Sequence, residues 1–356
     1  YIWVAPDPIT CAPQGEYAPV IALSTPQQQR MVSVGQQWTP NQNTTLHTEV
    51  ALSHYDRNRF SAFDQQDDAG WAAFTQFRKR VLLGKKNAAP EMNLRLSYEA
   101  VQRNFRSLNP YRNPEFLRDW SLADFQGVGT VQAANEQIAR LEWNLSRAGL
   151  GSISYGFNTF LRENQYRGTR HDLSGEGNWR GWQLKGLASS LQADAAGEER
   201  RFFRPQLSVD KVFKKLKNWS LGWTGEGEQN DRYARAQDSL TGSSFRYFSQ
   251  RLYLKSPESK KWESGLEYVS RNDTRPIEGT YRPLTSAQEW RWNTKLQFKQ
   301  AFGLNGNLTY RSLQSFQQQS NANTGNTLLG RIDLNTAIWK GLARATTTYE
   351  LGSGQE

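Results

Sequence analysis

The sequence predicts an all-β protein, an antiparallel up-and-down meander of about sixteen strands forming a large transmembrane β-barrel. Three observations predict it. First, long stretches alternate with a period of two. In SAQEWRWNTKLQFKQAFGLNGNLTYRSLQ (286–314), Trp290, Trp292, Thr294, Leu296 and Phe298 share one parity, and Glu289, Arg291, Asn293, Lys295, Gln297 and Lys299 the other. Side chains on a strand point alternately to opposite faces, so this is a ribbon with one apolar and one charged face. Second, short turns alternate with longer connections, as in barrels with tight turns on one side and long loops on the other. Third, no run of about 18 apolar residues exists, which excludes a transmembrane helix but not a strand with every second residue apolar. The mean hydropathy of −0.77 suits such strands, whose polar faces dilute the apolar ones.

Residues 1–30 carry Pro6, Pro8, Pro13, Pro19 and Pro26 and read as an extended linker, with the barrel over 31–356. Strand pairs follow. Val32, Val34 and Trp38 precede Leu46, Thr48, Val50 and Leu52; Leu94, Leu96 and Tyr98 oppose Arg95, Ser97 and Glu99. Leu141, Trp143 and Leu145 oppose Arg140, Glu142 and Asn144, and Ile153, Tyr155, Phe157 and Leu161 oppose Ser152, Ser154 and Asn158. Short turns fall near positions 41, 87, 149, 181, 216, 258, 301 and 341. Longer connections are expected over 54–69, 107–138, 164–167, 194–202, 229–244, 272–287 and 315–325. A soluble sandwich with Greek-key crossings gives no such alternation. Two strands break the pattern: Lys211 shares parity with Leu207 and Phe213, and Arg251 with Tyr247 and Tyr253. A charge on the lipid face costs about 2–4 kcal/mol at mid-bilayer, so both residues are expected at a rim or beyond the bilayer.

The net charge is +10, but Arg and Lys are spread along the chain and no nucleic-acid motif accompanies them, so no nucleic-acid partner is expected. The single cysteine, Cys11, excludes an intramolecular disulfide. His47, His54 and His171 lack metal-ligand spacing, and no G-x-S-x-G occurs. The glycine-rich SGEGNWRG and LGWTGEGE lack the G-K-[ST] ending of a phosphate loop. No catalysis, metal or cofactor is expected.

YEAVQRNFRSLNPYRNPEFLRDWSL (98–122), the opening YIWV…GEYAPV and the closing TYELGSGQE resemble large, poorly characterised β-strand proteins of the Bacteroidota outer membrane. The resemblance implies location and architecture, with no catalytic motif. Members are longer than this chain, so the resemblance also implies a fragment of a longer protein.

The expected partners are a lipid bilayer and an anionic solute or polysaccharide, in the bacterial outer membrane. Trp143, Tyr155, Phe157, Trp290, Trp292, Phe298 and Tyr310 are the candidate lipid-facing aromatics. Arg95, Arg140, Arg291, Lys295, Lys299, Arg311, Arg331 and Arg344 are the candidate basic lining of the lumen. Tyr111, Arg112, Phe116, Arg118 and Trp120 form a candidate inward-folded loop or plug. The expected role is a pore, exporter or surface-assembly component. The alternative is a soluble or surface-exposed β-rich protein, structural or carbohydrate-binding.

Overall fold

A computed structural model describes residues 4–12, 14, 25–61, 63, 65–84, 89–122, 134–195, 197–257, 259, 261–298, 302–316, 323–338 and 343–355. The strands are β1 (Gln28–Asn41), β2 (Thr44–Asp56), β3 (Ala69–Leu82), β4 (Glu91–Val101), β5 (Glu136–Arg147), β6 (Gly151–Arg162), β7 (Tyr166–Trp179), β8 (Trp182–Ala195) and β9 (Glu198–Phe213). They continue with β10 (Trp219–Ala234), the two-residue β11 (Ser239–Leu240), β12 (Phe245–Lys255), β13 (Trp262–Ile277), β14 (Thr280–Phe298), β15 (Phe302–Ser315), β16 (Asn323–Ile338) and β17 (Ala343–Gln355). One helical turn, α1 (Phe116–Asp119), lies in the connection between β4 and β5. The long strands run to 19 residues in β14, against about 5–6 in a typical globular sheet. No helix among the described residues is long and apolar enough to cross a membrane.

Each long strand pairs antiparallel with its neighbours in sequence, from β1 with β2 to β16 with β17; β10 reaches β12 directly, past the small β11. The meander is therefore as expected. The described pairings leave β1 and β17 each with one partner, so the sheet has two free edges and its closure into a barrel is not seen.

Three expected long connections are hairpin turns instead. β6 passes to β7 through 163–165, β8 ends at Ala195 directly opposite Glu198, where β9 begins, and β13 passes to β14 through Glu278 and Gly279. The polar runs read there as loops are strand ends whose charges pair two residues apart, as Arg201 with Glu199 at 2.7 Å and Arg271 with Asp273 at 2.8 Å. Glu278 and Gly279 take φ of 51° and 76°, the pair of left-handed conformations that a two-residue turn uses to follow strand twist. Longer connections remain between β2 and β3, β4 and β5, and β10 and β12; the one expected over 315–325 lies largely outside the described residues. β1 begins at Gln28 rather than 31.

Register sorts side chains into two faces, because directly paired residues point the same way. Trp223, Leu252, Tyr268, Trp290, Tyr310 and Leu328 form one row across six strands. Trp38, Leu46, Phe77, Leu96, Leu141 and Phe157 form another across β1 to β6. These rows belong to one face, and its large side chains stay exposed: Val34 at 72%, Trp290 at 47% and Leu252 at 47%. The two irregular strands resolve differently. Lys211 does lie on this apolar face, but at its turn-side margin, where its ammonium donates to the Arg180 carbonyl at 2.9 Å and covers the Trp182 ring. Arg251 lies on the opposite face with Tyr247 and Tyr253, because the tyrosines there serve the polar side: Tyr253 donates to Asp210, and Arg271 covers the Tyr247 ring.

The turn between β7 and β8 gives a check on this register. Arg180 and Gly181 have φ of 47° and 82°, and a Cβ on Gly181 would lie 3.0 Å from the Val212 carbonyl oxygen. Gly181→Val is expected to cost about 1–2 kcal/mol through the left-handed penalty. A lowered urea midpoint of the folded protein, with Ala in place of Leu216 as a surface control, measures it.

Candidate functional site

The functional candidate is the polar face where the β4–β5 connection folds onto it. Trp120 and Leu122, 2% and 3% exposed, sit among Ile138, Phe160, Tyr166, Leu191 and Phe202, with Phe116 and Leu117 packed alongside. Phe160 and Tyr166 share parity with Asn158 and Arg162, so they point to the polar face and give the segment an apolar seat. The Trp120 ring lies 5.4 Å from Phe160 and 6.5 Å, edge-on, from Tyr166. Tyr166 donates its hydroxyl to the Trp120 carbonyl at 2.6 Å, and Arg200 donates to the Ser121 carbonyl. These bonds satisfy carbonyls that would otherwise be buried without partners. Gly168 leaves room for the tyrosine ring, since a Cβ there would lie 2.6 Å from its hydroxyl oxygen.

Charges fix the segment at both ends. Arg112 pairs with Glu99 on β4 at 3.1 Å and with Glu136 on β5 at 2.5 Å, and stacks on the Phe116 ring at 4.3 Å. Asp119 meets Arg170 on β7 at 3.2 Å and Arg204 on β9 at 3.6 Å. Arg118 donates to Glu228 on β10 at 2.9 Å. That hydrogen bond raises the Arg118 pKa further above its ordinary value, while partial burial opposes it. Glu228 itself is buried and also faces Arg204 at 3.5 Å.

These contacts carry one short segment across the polar face. Residues 112–118 meet Glu99 on β4 at one end and Glu228 on β10 at the other, the arginine side chains supplying much of the reach. With the segment and the cavity beneath it on this side, the polar face is the concave one.

Below the α1 turn this face encloses a cavity of about 710 Å³, roofed by Phe116, Asp119 and Trp120. Arg78, Arg95, Arg140 and Arg170 line it against Glu142 and Asp172, with Asn93, Asn144 and Asn158 between them. Among the described residues no cluster of three or more His, Cys, Asp or Glu is placed to hold a metal ion.

The sequence candidates are distributed as follows. Arg95, Arg140, Arg291, Lys295, Arg311, Arg331 and Arg344 all lie on the concave face; Lys299 lies outside the described residues. Their partners differ. Arg95 meets Glu142 at 2.9 Å, Arg291 meets Glu289, and Arg331 meets Asp333 at 3.0 Å and Glu350 at 3.2 Å. Trp143, Tyr155, Phe157, Trp290, Trp292, Phe298 and Tyr310 all lie on the opposite, convex face. Of the plug candidates, Arg112, Phe116, Arg118 and Trp120 dock as described, whereas Tyr111 stays exposed with its ring 5.0 Å from Arg112. Sequence reasoning missed the receiving side: Phe160, Tyr166, Arg170, Arg204 and Glu228. Its signal was the break in alternation at Phe160 and Tyr166, two large aromatics on the polar parity. Glu228 sits in LGWTGEGE, which reads only as a glycine-rich strand.

No family model matches the chain, and no curated protein matches it. Among solved structures it is similar to the crystal structure of BauA, the ferric preacinetobactin receptor from Acinetobacter baumannii, at 9% identity and a TM-score of 0.35. The alignment covers 92% of this chain and 60% of that chain. The chain thus spans less than two thirds of that receptor's length.

The docking of the segment rests on Trp120. Trp120→Ala is expected to cost about 3–5 kcal/mol, the range for removing a buried aromatic. Leu221→Ala, on the convex face, is expected to cost less than half of that in detergent. Urea titrations of the two variants, followed by near-ultraviolet circular dichroism, check the ranking.

Proposed function

We propose that this chain forms the wall of a bacterial outer-membrane β-barrel, its convex face in lipid and its concave face lining a basic lumen. The observation that carries the reading is the continuous belt of exposed apolar side chains on the convex face. Monomeric soluble proteins rarely expose contiguous apolar patches beyond a few hundred Å². The belt is also bounded. On β9 the first charges of the convex face are Lys211 at one end and Arg201 at the other, with Phe203, Pro205, Leu207 and Val209 between them. Ten residues cover about 33 Å of strand, or about 23 Å of depth at a 45° tilt, against about 25 Å for an outer-membrane belt. Beyond the belt, Asp231 accepts hydrogen bonds from Arg246 at 2.7 Å and from the Tyr281 hydroxyl at 2.6 Å, so the apolar belt gives way to a charged network.

The role that fits is passage or assembly: a pore, an exporter or a surface-assembly component, with anionic solutes or polymers favoured by the basic lining. The segment from Arg112 to Leu122 stands in that lumen as a plug. A carbohydrate-binding surface built from tryptophan has less support. Trp38, Trp71, Trp179, Trp182, Trp290 and Trp292 are exposed but spread over the belt, and Trp120, beside the cavity, is committed to the core. The reading assigns no catalysis and no cofactor.

Cysteines placed at Leu252 and Trp290, with Cys11 changed to Ser, carry an environment-sensitive fluorophore into the belt. In vesicles their emission is expected to shift blue and to be quenched by brominated lipid acyl chains. The same label at Arg311 or Arg331 is expected to respond only to aqueous iodide. Iodide quenching at all four positions would remove the membrane reading.

A further inference from the structure

We propose that the cavity beneath the α1 turn is a binding site for a small polyvalent oxyanion, held by Arg78, Arg95 and Arg140. The proposal rests on the concave face being the lumen and names the solute class that this face would take.

Three guanidinium groups on three successive strands converge there with too few carboxylates. Arg78 on β3 stands directly opposite Arg95 on β4. Directly opposed residues have Cβ atoms about 4.5–5.5 Å apart, and like charges in that position repel. Arg95 is paired to Glu142 at 2.9 Å. Arg140 lies two residues before Glu142 on β5, on the same face. Arg78 is hydrogen-bonded to the Gln76 amide oxygen at 2.6 Å. Among the described residues no carboxylate lies within 4 Å of Arg78 or Arg140.

The remaining acids of the cavity are engaged elsewhere. Asp172 accepts from Arg170 at 2.9 Å, Asn158 at 2.8 Å and Ser189 at 2.7 Å. Asp119 faces Arg170 and Arg204. One carboxylate, Glu142, therefore serves three arginines. Phe116, Asp119 and Trp120 roof one side of the cavity; Arg78 and Arg95 remain exposed and Arg140 half-buried, so an incoming anion can reach all three. Arginine binds carboxylate and phosphate oxygens through a planar fork. An anion with two or more charges could engage Arg78 and Arg140 together, with the Arg95–Glu142 pair between them. Asn93, whose amide donates one hydrogen to Glu91 at 2.9 Å, keeps its second for a remaining oxygen.

Calorimetric titration of the detergent-folded protein with citrate, pyrophosphate and glucose tests the site. Citrate or pyrophosphate is expected to bind and glucose not to. The tighter of the two anions identifies carboxylate or phosphate as the recognised group. Arg78→Gln and Arg140→Gln are each expected to weaken that anion about ten-fold or more. Lys185→Gln, a charge removed from the same face outside the cavity, is expected to leave it unchanged. No anion binding by the parent protein would overturn the proposal, whether or not the variants fold. Equal weakening by Lys185→Gln would also overturn it, because the attraction would then belong to the whole face. Gel migration of the parent, boiled and unboiled, separates the two levels. A heat-shifted band without anion binding rejects only this site, whereas no heat shift rejects the barrel reading on which it rests.

Discussion

Sixteen long strands in this chain enclose one described hydrophobic cluster, around Trp120, Phe160 and Tyr166. The other large apolar side chains of the sheet point mainly outward, from Val34 on β1 to Leu351 on β17. The hydrophobic effect provides most of the drive to fold, and it scales with apolar area removed from water. A convex face left in water would forgo most of that drive. The belt must therefore be covered, and an acyl-chain environment covers it without further protein.

The same constraint organises the concave face. With the apolar residues turned outward, each strand turns its charges toward the interior of the curl, where they pair along and across strands. Arg331 with Asp333 and Glu350 is one such group, and Arg95 with Glu142 another. Exposed pairs of this kind contribute little to stability. They keep that face polar. The β4–β5 segment interrupts it at one level, and does so with an apolar seat rather than with charge alone. Its position is consequently fixed, and the cavity beneath it has a definite shape.

The two faces were legible in the sequence because a period of two is local. Trp290 and Arg291 need no knowledge of other strands to be assigned to opposite sides. Strand ends were less legible. Residues 194–202 and 272–287 are polar enough to read as loops, yet they continue the ladder; Ala195, Arg200 and Phe202 are buried there only because a segment distant in sequence packs on them. The plug was half legible. Its mixture of aromatic and basic residues marked it as a docking segment. Its receptor, formed by Phe160, Tyr166, Arg170, Arg204 and Glu228, is assembled from strands up to 110 residues away in sequence. The arginine group at the cavity illustrates the same limit: Arg78 and Arg95 become neighbours only through the β3–β4 register.

The central claim is that the convex belt is a lipid-facing surface of a membrane barrel. Gel migration of the detergent-extracted protein, boiled and unboiled, tests it most directly, because closed membrane barrels keep their compact form in detergent until heated. The account predicts a faster-migrating band in the unboiled sample and recovery of the protein only with membranes or detergent. A protein soluble without detergent, with one band under both conditions, would contradict it and would require the belt to be covered by protein instead.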